Sequence, residues 1–306
     1  LERQYSPSRW APRLGSDAVI EAHLEATAAG TRRARAFAQT SLHVPYGAGA
    51  REQLDIYLPT QLDAAFPVLV YIHGGYWQSL SKEESGFAAP PLVSRGVALV
   101  AVGYNTAPAG KVCPRGQWPP ELVPSPPTLT FTPCPGHMDA MVLQVRRSLV
   151  FLAQRFPGSK GLYLCGHSAG AHLAAMVLAT DWKEYDVVPD IRGTVLVSGV
   201  YDLEPILHTY VNEALGMSQE VAQRNSPALC VPLAAPMSCE VLVAVAQHDS
   251  PEFRRQSQEF AQALRAAGWS VSLLDLAGLD HFDIIEKLSE ENYVLTQVWD
   301  KLPSTL

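Results

Sequence analysis

The sequence predicts an α/β protein built on a mainly parallel central sheet flanked by helices, and three observations carry that expectation. Short β-branched apolar runs recur along the chain, most of them continuous rather than alternating, which is how strands buried on both faces read. Longer stretches of helical periodicity separate them, and strand alternating with helix is the pattern of a parallel sheet covered by helices. A Gly-x-Ser-x-Gly element stands at one of the strand-to-helix junctions. The 306 residues would allow two domains, but the pattern continues from end to end without an internal repeat, so one domain over 1–306 is expected.

The strand candidates are 53–58 (QLDIYL), 67–72 (PVLVYI), 97–102 (VALVAV), 162–166 (LYLCG), 194–199 (TVLVSG), 241–246 (VLVAVA) and 271–276 (VSLLDL). Helical patterns fill 138–156, 169–181 and 252–267. One block interrupts this order. Of the 26 residues 111–136, eight are Pro and only three are charged (Lys111, Arg115, Glu121). That Pro density forbids helix and central strand, so the block reads as a surface loop or disordered insertion. Pro124 and Pro127 formally satisfy a PxxP ligand pattern, the weaker of the two readings.

Composition removes several function classes. The chain is 47% hydrophobic and 17% charged, the balance of a globular protein rather than a disordered one. Its net charge is −7, from 30 acidic against 23 basic side chains, whereas nucleic-acid binding needs a basic footprint. No apolar run approaches the roughly 18 residues a membrane span requires. The opening LERQYSPSRW has no apolar signal-peptide core. Five cysteines, at 113, 134, 165, 230 and 239, are odd in number and scattered, a pattern suited to free thiols in a reducing cytoplasm. There is no C-x-x-C, H-E-x-x-H or EF-hand pattern, no Walker A loop and no G-x-G-x-x-G, so neither a metal nor a nucleotide cofactor is indicated.

The chemistry concentrates in two motifs. Gly166-His167-Ser168-Ala169-Gly170 follows the strand LYLC and precedes the apolar stretch AHLAAMVLATDW, the strand–turn–helix setting of a nucleophile elbow. About 95 residues earlier, His73-Gly74-Gly75-Tyr76-Trp77 closes the strand PVLVYI. A serine hydrolase needs main-chain donors for the developing oxyanion, from the residue after the nucleophile and from a Gly-rich loop after an early strand. Those donors would be Ala169 and Gly75, with Gly74 as a third. Tyr76 and Trp77 either line an aromatic-substrate pocket or belong to the core.

The base and its orienting acid follow the serine in the order acid, then histidine. Among nine histidines only His281 lies in a loop after the last expected strand. Asp249 directly follows the strand VLVAVA and is preferred as the acid over Asp202 in GVYDLEP and over Asp280. A residue adjacent in sequence to the histidine cannot easily curl back onto its ring. His167 and His172, on either side of the elbow, read as packing or polar support.

Together, the stretches His73-Gly74-Gly75-Tyr76-Trp77-Gln78-Ser79, Cys165 to His172 (CGHSAGAH), Gln223-Arg224-Asn225-Ser226-Pro227 and Asp280-His281-Phe282 resemble the kynurenine formamidase (arylformamidase) family of the α/β-hydrolase fold. The likeness runs from about Tyr5 to about Gln297, and HGGYWQS and AQRNSP are its more specific parts. The resemblance implies Ser168 as nucleophile, Asp249 as acid and His281 as base, the same three residues reached from order and context. It implies hydrolysis of N-formyl-L-kynurenine to formate and L-kynurenine, in tryptophan breakdown, by a cofactor-free homodimer of the cytosol and also the nucleus. The family pattern passes from the AP-x-G turn directly to the helix starting near Met138, so 111–136 is an addition to it, of the kind a retained intron or misjoined exon leaves. A broad carboxylesterase, or a hydrolase-fold isoform disabled by that block, are the alternatives.

Overall fold

One sheet of eight strands runs through the computed structural model, which describes residues 1–59, 65–108 and 137–301. The strands are β1 (Gln39–Pro45), β2 (Gln53–Leu58), β3 (Val68–Ile72), β4 (Ala98–Val102), β5 (Leu162–His167), β6 (Ile191–Val197), β7 (Glu240–Ala246) and β8 (Ser270–Leu276). They lie in the order β1-β2-β4-β3-β5-β6-β7-β8. β2 is antiparallel to both of its neighbours, and every other pair is parallel. The seven expected strands are all present, the largest shift being in β6, which begins at Ile191 rather than 194. The Pro-rich block at 111–136 lies outside the described residues.

Why the central strands read as continuous apolar runs is clear from their packing. Val68, Val70 and Ile72 of β3 enter one core while Leu69 and Tyr71 enter a second on the opposite face. Alternation along a strand sends successive side chains to opposite faces, and here both faces are covered. The helices are α1 (Ser16–Phe37), α2 (Ala89–Val93), α3 (Met138–Arg155), α4 (Ala169–Leu178), α5 (Val211–Leu215), α6 (Gln219–Arg224), α7 (Pro227–Cys230), α8 (Pro251–Ala266), α9 (Asp283–Glu286) and α10 (Val294–Lys301). Met141, Val145 and Leu149 of α3, Leu173 of α4 and Phe253 and Phe260 of α8 fill the first core. Ala34 of α1, Leu92 of α2, Ile284 of α9 and Leu295 of α10 fill the second.

Strand β1 and helix α1 lie outside the expected elements, as do the short helices α2, α5, α6, α7, α9 and α10. β1 is an edge strand with an exposed, half-exposed and irregular face, so it lacks the apolar run that marks a central strand. α1 is 22 residues long, yet its buried positions are Val19, His23, Thr27, Gly30, Thr31 and Ala34. A face of small and polar residues spaced by three and four gives no hydrophobic periodicity to read. Small side chains are needed there, because a Cβ on Gly30 would come within 2.6 Å of Phe87 Cβ.

Parallel register brings the carboxyl ends of the strands to one edge of the sheet. Ile72 pairs with both Val102 and Gly166, His167 with Val197, and Ala246 with Leu276. The loops leaving that edge carry His73, Ser168, Ser198, Asp249 and His281. In open α/β sheets this is the edge at which ligands are met.

Candidate active site

The elbow is built by close approach. Ser168 has φ 55° and ψ −118°, a region that side-chain-bearing residues rarely occupy and that persists only where surrounding packing enforces it. A Cβ on Gly166 would lie 2.2 Å from the Gly170 carbonyl oxygen, and one on Gly170 would lie 2.0 Å from that of Ile72. Both glycines are therefore required by contact, which is why the motif spaces them two residues either side of the serine. The Ser168 N–H donates to the Val197 carbonyl (2.9 Å), pinning the turn to β6. α4 then starts at Ala169, so the positive end of its helix dipole faces the turn.

The glycine loop packs directly on the elbow. A Cβ on Gly74 would fall 2.8 Å from the His167 carbonyl oxygen and 3.2 Å from Ser168 Cβ. Gly75 takes φ 90°, and Tyr76 and Trp77 continue in the left-handed region at 49° and 54°. Its carbonyl accepts the N–H groups of Gln78 (2.9 Å) and Ser79 (3.0 Å), closing the turn. Among the described residues, no acceptor is paired with the Gly75 N–H. Of the two readings for Trp77, the core prevails: its side chain is wholly buried and its indole N–H donates to His172 Nδ1 (3.2 Å). A substrate pocket lined by Trp77 is therefore not what this structure presents. Tyr76 is part-buried, with its hydroxyl donating to the Tyr5 carbonyl (2.8 Å).

His281 and Asp249 are paired, with Nδ1 and Oδ1 2.6 Å apart and both side chains buried. The second Asp249 oxygen accepts from Ser198 Oγ (2.5 Å) and from the Ala246 N–H (2.9 Å). A carboxyl group with three such partners is well satisfied despite its burial. The competing acids are engaged elsewhere. Asp280 takes Arg13 and the Phe282 N–H, both at 2.9 Å, and Asp202 caps the Glu204 N–H (3.0 Å).

His281 reaches the elbow through His167, whose Nε2 lies 2.8 Å from the His281 carbonyl oxygen. A carbonyl only accepts, so that nitrogen carries the proton. Burial, with His281 and His23 nearby, holds the His167 imidazole well below its usual range and hence neutral. His172 works the same way. Its Nε2 donates to the Asn225 carbonyl (2.7 Å) while bare Nδ1 accepts from Trp77, and burial depresses it to about 4. His73 stacks on Tyr104 at 4.2 Å, and burial likewise brings it to about 4.

Two participants escaped the sequence reading. Ser198 stands just past β6 with φ 47° and donates to Asp249, and a serine ending a buried strand beside the strand that leads to Asp249 was its only signal. The second is the set of contacts from residues 2–13. Asn225 and Arg224 of the QRNSP stretch bind Asp139 at the start of α3, so that motif ties helices together while its Asn225 carbonyl steadies His172.

A cavity of about 440 Å³ between α1 and residues 283–290 is lined by Arg13, Thr27, Phe87, Asp283 and Glu286 among others, and by none of Ser168, Gly75 or His281. Among the described residues there is no group of three His, Cys, Asp or Glu placed to hold a metal ion. No helix there is long and apolar enough to cross a membrane.

An eight-stranded, mostly parallel sheet with a strained Gly-x-Ser-x-Gly turn at its carboxyl edge defines an α/β hydrolase, and a family model described as the alpha/beta hydrolase fold matches residues 156–283. Solved structures show the same fold. A thioesterase candidate from Silicibacter sp. tm1040 superposes with a TM-score of 0.76 at 24% identity, covering 97% of this chain and 98% of that one. Esterase B from Lactobacillus rhamnosis gives 0.68 at 17% identity, covering 94% and 95%. The relationship in sequence is far closer. Kynurenine formamidase from Danio rerio is 53% identical over 304 residues, 99% of this chain and 95% of that protein. The enzyme from Salmo salar is 52% identical over the same shares of each chain. This chain belongs to the kynurenine formamidase family.

Proposed function

We propose that this protein hydrolyses N-formyl-L-kynurenine to formate and L-kynurenine with Ser168 as the nucleophile. The observation that carries the reading is the 53% identity to a kynurenine formamidase across 99% of the chain. The buried pair of Asp249 and His281 supports that reading. Asp249 occupies His281 Nδ1, leaving Nε2 to take the Ser168 proton as Oγ attacks the formyl carbon. The negative oxygen that forms is received by the N–H groups of Ala169 and Gly75, with Gly74 beside them; one such donor is typically worth about 3 kcal/mol. His281 then protonates the departing aryl amine, leaving a formyl-enzyme. Water, deprotonated by His281, attacks that ester, and formate leaves as Ser168 recovers its proton.

A formyl group is the smallest acyl group, so selectivity comes from a tight acyl pocket with room for an aromatic leaving group. Purified protein is tested on N-formyl-L-kynurenine beside acetate and butyrate aryl esters. Preference for the formamide supports the proposal. Cleavage of the esters with no turnover of the formamide replaces it with a general carboxylesterase. The homodimer implied by the family is checked by sedimentation of the same preparation, where a monomer at assay concentration rejects it.

A further inference from the structure

Residues 2–13 touch three of the loops that carry candidate catalytic groups: the glycine loop, the Asp249 loop and the His281 loop. The Tyr5 carbonyl accepts from the Tyr76 hydroxyl in the glycine loop (2.8 Å). The Gln4 carbonyl accepts from Ser250 Oγ (2.6 Å), one residue past Asp249, and Gln4 Oε1 takes the Glu252 N–H (3.3 Å). Arg13 Nε donates to Asp280 Oδ2 (2.9 Å), one residue before His281, while its Nη2 reaches both oxygens of Glu286 (2.9 and 3.1 Å). The Tyr5 ring is buried 6.3 Å from Phe253, and Phe253 stands edge-on to His281 at 5.1 Å.

Tyr76, Ser250 and Asp280 come from three separate parts of the chain, and each sits past the end of its strand, beyond the ladder that fixes strand to strand. A catalytic group is held only as well as the loop carrying it, and productive geometry tolerates errors of about 0.5 Å. One short segment bonded to all three loops restrains their relative positions, which the sheet alone does not. The contacts are also directional: two use main-chain carbonyls, and one uses a guanidinium on a carboxylate that is otherwise buried.

We propose that residues 2–13 are a strap that positions the oxyanion, acid and base loops against one another, with the Arg13 guanidinium and the Gln4 and Tyr5 carbonyls as its positioning groups. The proposal rests on the serine-hydrolase reading above.

The test uses the full chain with Arg13→Gln, with Tyr76→Phe, with both, and with Arg13→Lys. Three quantities are measured: N-formyl-L-kynurenine hydrolysis, the rate at which a fluorophosphonate labels Ser168, and the melting temperature. Each single change should lower kcat roughly tenfold with KM little altered, since misplacement of reacting groups acts on the chemical step. Labelling should slow in parallel, and Arg13→Lys, which keeps the charge without the fork, should recover part of the rate. Because both changes act through one segment, the double variant should lose less than the product of the two single losses. Unchanged kcat and labelling, losses that multiply, or a lowered melting temperature with full activity below it would each overturn the strap. Absence of Ser168 labelling in the unaltered chain is the separate signature that the nucleophile assignment has failed, and it removes the strap with it.

Discussion

Two segments meet at the His281 loop. The elbow at 166–170 reaches it through His167, which donates to the His281 carbonyl (2.8 Å). Helix α1 reaches it through His23, whose ring packs 5.4 Å from Phe282 and whose Nδ1 lies 2.9 Å from Glu286. The elbow is specified by its own residues: two glycines that cannot carry a Cβ, a serine between them, an apolar strand before and an apolar helix after. α1 is specified by its neighbours, since His23, Thr27, Gly30 and Thr31 are buried only because the elements facing them demand small or hydrogen-bonding side chains. A local rule makes a segment readable, whereas a fitted surface leaves no pattern of its own.

That contrast can be tested, first where the loss should be greatest. Ser168→Ala should reduce kcat by more than about 10⁴-fold while substrate binding persists, and Asp249→Asn should cost somewhat less, because the acid only orients and stabilises the base. Steady-state kinetics with equilibrium binding checks both, and a crippled Asp202→Asn beside a healthy Asp249→Asn would move the acid elsewhere. Next comes Gly170→Ala, whose added methyl would meet the Ile72 carbonyl at 2.0 Å. Overpacking against backbone that cannot yield should cost about 3 kcal/mol of stability, read by urea unfolding, and a neutral result would show the elbow to be softer than its geometry.

The pH dependence of stability separates contacts on the elbow side from the rest. Burial holds His172 at about 4 in the folded chain, against roughly 6.5 when unfolded. Between these values the unfolded chain binds more protons, so this residue's contribution is lost as pH falls from about 6.5 to about 4. His172→Gln should therefore flatten the fall in the urea midpoint across that window, and parallel curves for variant and parent would reject the neutral buried imidazole. The smallest effects belong to α1 and discriminate its two faces. His23→Ala removes a buried partner of Glu286 and should cost about 1–3 kcal/mol. Leu24→Ser, on the exposed face, should stay within about 0.5 kcal/mol. Equal losses at the two positions would contradict the assignment of the faces.

The same distinction explains what could be read in advance. The central strands were legible because both of their faces are buried and so nearly every residue is apolar, as in β3 and β4. Edge strand β1 was not, since three of its seven residues are exposed and none is buried. Within the site, Ser168 announced itself by spacing and His281 by its place after the last strand, while context only preferred Asp249 over Asp202 and Asp280. Ser198 gave almost no signal, because any serine in a strand-end turn looks alike until the neighbouring acid loop is placed beside it. Trp77 could be read either as pocket or as core, and its complete burial in the first core, with the indole N–H bonded to His172, is what the fold adds.

By itself the sequence determined the class of fold, the strained turn at Ser168 and the family to which the chain belongs, because each depends on residues close together in the chain. Tertiary structure alone decided which carboxylate meets His281, the neutral tautomers of His167 and His172, and the contacts of residues 2–13 with three loops. Those are relations between groups far apart in sequence, and what fixes them is the register of parallel strands and the burial it creates. Periodicity reports which side of an element is covered; it carries no information about what covers it.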